Sequence, residues 1–367
     1  MNTINVDLTA NAYPVYLGRG LLTDSSLWQR HLGEGKTLIV SNEVVAPLYL
    51  ESLQAALTGR QPETWIIPDG ESFKTPETWY GIIDKLVSMQ ARRDVNVIAL
   101  GGGVVGDITG FAAASYMRGV RFIQAPTTLL AQVDASVGGK TGFNHEKGKN
   151  LVGAFHQPAA VIIDSATLET LKEREFGAGL AEVVKYGAIS DLQFFEWLEN
   201  NAREINQRET QALDYLISQS VLNKAEIVAA DEKEAGVRAL LNFGHSFGHA
   251  LEAETAYSEF LHGEAVSIGM VIATRLSENR GLCGAGATER ISSLLEKFGL
   301  PVSLPAQTSL DSMLDALDLD KKAIASGLRL ILLTAIGNAT VDNESPREEI
   351  IQVMQQSLDR NRASASE

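Results

Sequence analysis

Short apolar runs separated by helical stretches set the pattern of this chain as far as about Asp164. Thr37-Leu38-Ile39-Val40, Thr64-Trp65-Ile66-Ile67, Val95-Asn96-Val97-Ile98-Ala99-Leu100, Arg121-Phe122-Ile123-Gln124-Ala125 and Ala160-Val161-Ile162-Ile163 read as strands. A further β-rich piece, Tyr13-Pro14-Val15-Tyr16-Leu17, precedes them. Strands alternating with helical stretches predict an α/β domain with a mainly parallel sheet and covering helices. Most of these runs end in polar or glycine-rich residues, where an open α/β sheet places its ligands. From about Glu173 the period becomes helical: Leu213, Leu216, Ile217, Val221 and Leu222 recur on one face, and Val266, Ile268, Met270 and Val271 do so less cleanly. Only Leu328 to Leu333 and Ala339-Thr340-Val341 read as a late hairpin, turning at Ile336-Gly337-Asn338. The expectation is an α/β N-terminal domain over residues 1–172, a mainly α-helical C-terminal domain over 173–367, and a cleft between them.

At 367 residues the chain is too long for one ordinary core, and 45% hydrophobic with 21% charged residues allows two to be buried. A formal net charge of −15 argues against non-specific nucleic-acid binding, which draws on basic surface. The single cysteine, Cys283, excludes an internal disulfide, fits a reducing compartment and reads as a packed thiol. Met1-Asn2-Thr3-Ile4-Asn5-Val6-Asp7 has no basic segment leading into an apolar one, and no apolar run approaches the roughly 20 residues that span a bilayer. The expected setting is cytoplasmic, with no membrane partner.

Gly101-Gly102-Gly103-Val104-Val105-Gly106-Asp107 follows a predicted strand, opens a predicted helix from Ile108 through Met117, and satisfies G-x-G-x-x-G. Glycines there let backbone N–H groups approach a pyrophosphate at a helix N-terminus, as in a Rossmann-like sheet. The turn comes after several earlier strands, and no acidic residue follows at about 20 residues, so by itself it is equally a tight structural turn. Asp69-Gly70-Glu71-Ser72-Phe73-Lys74 follows another strand with a carboxylate for ribose hydroxyls and a cation at Lys74. Thr127 and Thr128 follow a third with two hydroxyls. Each is alone an ordinary loop or cap; three at strand ends favour a nucleotide. Val133 through Asn144 resembles a phosphate-binding loop in composition but lacks Walker A spacing, which excludes an NTPase. Lys140, Lys147 and Lys149 set cations in this glycine-rich stretch, either as a solvated loop or as an anion site between cofactor and substrate.

His245 and His249 are four residues apart and share a helix face, and His262 follows in Leu261-His262-Gly263-Glu264. Spacing alone favours His245 with His249 as a metal pair. Glu182 sits in the apolar stretch Gly179 to Gly187, where a carboxylate must be capped, paired or bound to a cation, and Lys185 one turn later is the plain partner. Glu182 with His245 and His262 would instead make three ligands with one position open, as a catalytic zinc requires.

The segments Gly101 to Asp107, Pro126 to Thr141, Gly179 to Gly187, Leu240 to Glu252 and His262 to Val266 resemble the 3-dehydroquinate synthases of the shikimate pathway. The likeness runs in order over nearly the whole chain, through Asp320-Lys321-Lys322. The wider group holds other sugar-phosphate cyclases and, more distantly, metal-dependent glycerol dehydrogenases. The resemblance implies Glu182, His245 and His262 as ligands of zinc, with cobalt as a substitute, and moves His249 to the leaving phosphate. It implies NAD on Asn42, Asp69, Gly70, Glu71, Ser72, Phe73, Lys74, Gly103, Val104, Val105, Gly106, Asp107, Thr127, Thr128, Lys140, Lys149, Thr167, Leu168, Glu169 and Thr170. It implies substrate on Asp134, Lys140, Lys185, Lys224, Arg238, Asn242 and His249, with Lys321 or Lys322 adding a cation, and a homodimer.

The implied substrate is 3-deoxy-D-arabino-heptulosonate 7-phosphate, which becomes 3-dehydroquinate with loss of phosphate. Its C–H proton is acidic only while the neighbouring alcohol is transiently a ketone. Reversible NAD-dependent oxidation therefore precedes β-elimination, and reduction, ring opening and an internal aldol closure follow. Lys140, Lys185, Lys224 and Arg238 suit carboxylate and phosphate, and Asn242 and His249 can donate to developing charge. The substrate's own phosphate takes the proton on this reading, with the protein positioning it.

Overall fold

The computed structural model describes residues 1–8, 12–146, 148–234, 236–256, 258–323 and 328–364, apart from the side chains of 319–323 and 362–364. They form two compact units: Met1–Leu171 with Leu213–Lys233, and Lys172–Ala212 with Glu234–Glu367.

Among the described residues nine strands belong to the first unit: β1 (Asn2–Val6), β2 (Tyr13–Gly18), β3 (Thr37–Asn42), β4 (Glu63–Ile67), β5 (Asn96–Gly101), β6 (Arg121–Pro126), β7 (Lys140–His145), β8 (Gly148–Phe155) and β9 (Ala160–Asp164). Seven make one sheet in the order β1-β2-β9-β6-β5-β3-β4, parallel except for the β1–β2 edge pair. The expected strands all lie in it, each reaching one or two residues beyond its apolar run. β3 and β5 are apolar at consecutive positions because helices cover both faces of the sheet. Leu38, Val40, Val97 and Ala99 pack with Ile82, Leu86, Ile108 and Phe122 on one side. Ile39, Ile98 and Leu100 pack with Leu27, Trp28, Leu53 and Ile123 on the other.

The chain leaves β3 for the edge strand β4, crosses back to β5, and then continues away through β6. The carboxyl ends of β3 and β5 therefore flank a topological switch point, the place where open α/β sheets bind ligands. Asn42 ends β3, and Gly101 ends β5.

Two features of this unit differ from the sequence pattern. The helix after β5 is Gly103–Ser115, so the glycines themselves form its first turn, and Ile108–Met117 is displaced. The stretch with the composition of a phosphate loop is a π-helical turn, Ala131–Ala135, followed by the antiparallel hairpin β7–β8. Gly142 faces Gly153 across that hairpin, and a Cβ at Gly142 would stand 2.4 Å from Val152 O. Small residues at the crossing hide the alternation by which strands are read.

The second unit is mainly helical, built on Glu173–Ser190, Leu192–Asn200, His245–Glu254, His262–Asn279, Ala287–Lys297, Leu310–Ala323 and Arg347–Ser364. Its antiparallel hairpin, Leu330–Ala335 with Asn338–Asp342, is the one expected from sequence. His262–Asn279 is buried almost all round, from Gly263 to Ser277, which is why its periodicity is blurred. The sequence pattern assigns all of 173–367 to this domain, whereas most of the helix Thr210–Ala230 groups with the first unit. Leu216, Ile217 and Val221 are fully buried, and Asp214 and Ser218 bond to Ser165 and Asn2. None of the described helices is long and apolar enough to cross a membrane.

Candidate active site

Three helices of the second unit approach one another where glycines remove the intervening side chains. Gly263 sits where a Cβ would lie 1.9 Å from Ala178 O, which brings His262–Asn279 against Glu173–Ser190. Gly269 does the same against Gly244 O at 2.0 Å, and Gly248 stands against Ala265 and Val266 at 3.1 Å, which brings in His245–Glu254. Gly244 has φ +80, a left-handed conformation that sharpens the entry into that helix. This packing gathers Glu182, His245 and His262, one from each helix, with one ligand atom apiece within 4.8 Å of the others.

Glu182 is 1% exposed, and its Oε1 accepts no hydrogen bond among the described residues. That oxygen faces His245 Nε2 at 3.6 Å and His262 Nε2 at 3.9 Å, while Lys185 Nζ pairs with Oε2. His245 Nδ1 lies 3.1 Å from Phe243 O, and His262 Nδ1 lies 3.5 Å from Glu252 Oε2. Each imidazole thus has an acceptor behind it and its other nitrogen turned toward one carboxylate oxygen. Burial, then the charges of Lys185, His262 and His249, hold the His245 pKa well below the ordinary imidazole range. Two imidazoles, that of His245 kept neutral by its burial, around a carboxylate oxygen with no donor among the described residues are a donor set for a divalent cation, and the residues fit one. A second group of the same kind, His249, Glu252 and His262, shares a histidine with the first. No group among the described residues pairs His245 with His249, the choice spacing favoured.

Lys185, paired with Glu182, and Arg238 are each 1% exposed. Asn242 Nδ2 donates to Glu234 Oε1 at 3.0 Å, and His249 is exposed, its ring 5.7 Å from that of His262. Glu264 holds the backbone N–H of Leu261 at 2.7 Å and pairs with Arg174, so its role beside His262 is to cap the helix.

In the first unit the G-x-G-x-x-G segment forms a helix start whose cap, Gly102, offers no side chain to its N–H groups. Its glycines answer close approach: a Cβ at Gly101 would meet Val105 at 2.6 Å and one at Gly106 would meet Gln124 Oε1 at 2.7 Å. Unfilled N–H groups on a helix N-terminus suit a pyrophosphate. Beside them Lys74, 4% exposed, bonds Asp107 Oδ2 and Asn150 Oδ1, each at 2.6 Å. Burial opposes the Lys74 charge, but Asp107 and Glu71 outweigh it and raise its pKa. Asn42 Nδ2 reaches Asp69 Oδ1 at 2.5 Å, and Thr127 Oγ1 is buried with no hydrogen-bond partner among the described residues. Gly70, Glu71, Ser72 and Phe73 are partly or fully exposed on the same loop.

Other implied residues are already engaged. Thr128 Oγ1 caps Ala131 N, Thr167 Oγ1 bonds Gln132 and Asp164, Leu168 is in the core, Glu169 pairs with Arg19, and Thr170 meets Tyr49. Lys224 Nζ donates to Asp134 Oδ1 at 2.8 Å and to Asp134 O at 2.7 Å, joining two implied substrate residues. Lys140 and Lys149 stand near opposite ends of the β7–β8 hairpin, about 15 Å apart along the strand. Lys147 and the side chains of Lys321 and Lys322 lie outside the described residues.

The family model for the 3-dehydroquinate synthase N-terminal region matches residues 64–178, and that for the C-terminal region matches 179–323. The chain belongs to the 3-dehydroquinate synthase family. A 3-dehydroquinate synthase of Methylococcus capsulatus is 51% identical over 341 residues, covering 93% of this chain and 95% of its own length. A 2-epi-5-epi-valiolone synthase from Streptomyces hygroscopicus, solved with NAD+ and Zn2+ bound, superposes with a TM-score of 0.88 at 32% identity, over 96% of this chain and 99% of that one. A 2-deoxy-scyllo-inosose synthase, solved with carbaglucose-6-phosphate, NAD+ and Co2+, gives 0.87 at 25% identity, over 97% and 100%. Within this family member, Glu252, Glu234 and Asn150 are contacts of expected site residues and are absent from the set the sequence suggests. Glu252 falls seven residues after His245, on the same helix face, and that spacing was the available signal.

Proposed function

We propose that this chain acts as a 3-dehydroquinate synthase, converting 3-deoxy-D-arabino-heptulosonate 7-phosphate to 3-dehydroquinate and inorganic phosphate. The carrying observation is the buried Glu182 Oε1, without a donor among the described residues and facing two imidazole Nε2 atoms, in a chain about half identical to enzymes of that name. NAD, when bound, would supply a reversible hydride acceptor, and a divalent cation, zinc or cobalt, would supply the Lewis acidity that lowers the alcohol pKa and polarises a carbonyl.

Glu182, His245 and His262 would hold the ion. The N-terminus of Gly103–Ser115 would take the pyrophosphate, with Asp69 on ribose hydroxyls and Lys74 fixing Asp107 beside them. Lys185, Lys224 and Arg238 would bind the substrate's carboxylate and phosphate; a buried guanidinium suits a bidentate oxyanion. Asp134 keeps Lys224 in place through two bonds from Nζ. Asn242 and His249 donate to charge that develops as phosphate leaves, and the phosphate oxygens accept the C–H proton. The native form is a homodimer in the cytoplasm.

Other cyclase activities are the second reading, favoured by the two solved structures above. Incubation with the heptulosonate phosphate tests the choice. One phosphate and one 3-dehydroquinate per substrate, with no net NADH, is the expected result. Steady NADH accumulation would indicate a simple dehydrogenase, and absence of product with turnover of another sugar phosphate would indicate a different cyclase.

A further inference from the structure

His262 differs from His245 in what stands behind it. The His245 ring is held by a backbone carbonyl, Phe243 O, which the fold of its own loop supplies. The His262 ring is backed by a side chain, Glu252, whose Oε2 lies 3.5 Å from Nδ1. Glu252 is 2% exposed, and a carboxylate is buried at that depth only where a donor or a cation repays its lost hydration. It rides on the same helix as His245, two turns on, so one rigid element reaches Glu182 with one residue and the back of His262 with another.

We propose that Glu252 is a positioning residue for the metal ion: it accepts the Nδ1–H of His262 and so keeps Nε2 of that ring turned toward Glu182. The inference rests on the metal reading above and extends it to a residue that holds no ion itself. A ring N–H aimed at a carboxylate fixes the tautomer, stops the ring from swivelling, and makes the other nitrogen a better donor to a cation. His262 needs this more than His245, being 31% exposed against 13% and placed at the first residue of its helix, where packing restrains it less. The competing arrangement makes Glu252 a ligand of a second ion with His249 and His262. That arrangement requires His262 to coordinate through both nitrogens and to lose its ring proton, whereas an acceptor at Nδ1 uses the N–H already there.

The test uses the full chain and its Glu252→Gln and Glu252→Ala variants, loaded with Zn2+ or Co2+. Ions per chain, Zn2+ affinity by chelator competition, the visible spectrum of the Co2+ form and NAD affinity are measured, with circular dichroism of the metal-free proteins as the check on folding. The wild type should hold one ion. Glutamine, an uncharged acceptor of the same shape, should weaken Zn2+ about tenfold, and alanine about a hundredfold, with a shifted Co2+ spectrum and unchanged NAD affinity. Should alanine fail to fold, the glutamine variant still decides. Wild-type Zn2+ affinity and Co2+ spectrum in Glu252→Gln would overturn the proposal. So would two ions in the wild type that fall to one in the variant. A wild-type chain that takes up no ion at all, while binding NAD, would overturn the metal reading and this inference together.

Discussion

With one oxygen against Lys185 and the other turned to two imidazoles, Glu182 is a buried charge whose stability depends entirely on its partners. Glu182→Ala should therefore do two things. Bound metal and activity should fall together to background in metal analysis and phosphate-release assays. The metal-free variant should also unfold more easily, by about 3–5 kcal/mol in denaturant titrations, because Lys185 loses its carboxylate in the interior. His245 gives a pH dependence of known sign. Burial first, then neighbouring positive charge, depresses its pKa in the fold, so below about pH 6.5 the unfolded chain takes up the proton more readily. Stability of the metal-free protein is full above that pH and declines as pH falls toward the folded pKa. His31 and His156, also lowered chiefly by burial, add in the same direction. Denaturation at pH 7.5 and 5.5 should show the loss, and His245→Asn should reduce it. The Cys283 thiol, pushed up to about 11 by burial and by Glu278, should resist alkylation at pH 8 until the chain is unfolded.

Elements here are held in register by small residues as much as by large ones. A methyl group at Gly263 would overlap Ala178 O, so Gly263→Ala must push His262–Asn279 away from Glu173–Ser190. We expect a loss of about 1–3 kcal/mol in stability together with weaker Zn2+ retention. Gly284→Ala, with nothing within 4 Å of its Cβ, should stay within about 0.5 kcal/mol of wild type and retain the ion. In the first unit Lys74 joins the loop after β4 to the helix start through Asp107 and to the β7–β8 hairpin through Asn150. Lys74→Met should raise the KM for NAD about tenfold or more with a smaller effect on kcat, as steady-state assays at saturating substrate would show. The strands of the central sheet were legible because helices bury both their faces and leave uninterrupted apolar runs. β7 and β8 were not, since Gly142 and Gly153 cross where alternating side chains would have marked a strand.

Taken as a whole the chain is acidic, at −15, yet it buries Lys74, Lys185, Lys224 and Arg238, each a cation kept from the surface where the rest of the charge lies. Ligands that bind only the folded state should stabilise it by mass action: NAD at a hundred times its Kd should add about 2.7 kcal/mol, readable as a rise in Tm that Lys74→Met diminishes at the same NAD concentration. The parallel sheet, the glycine turn after β5, the late hairpin and the helical second half followed from the chain's own periodicity, because apolar spacing and glycine placement act over a few residues. The return of Thr210–Ala230 to the first unit did not, since an amphipathic helix advertises a buried face without naming what buries it. Nor did the choice among three histidines. Spacing on one helix joined His245 to His249, but a ligand cluster depends on which side chains converge in space. Here convergence was decided by Gly244, Gly248, Gly263 and Gly269, which let three helices close around a carboxylate some sixty residues earlier in the chain.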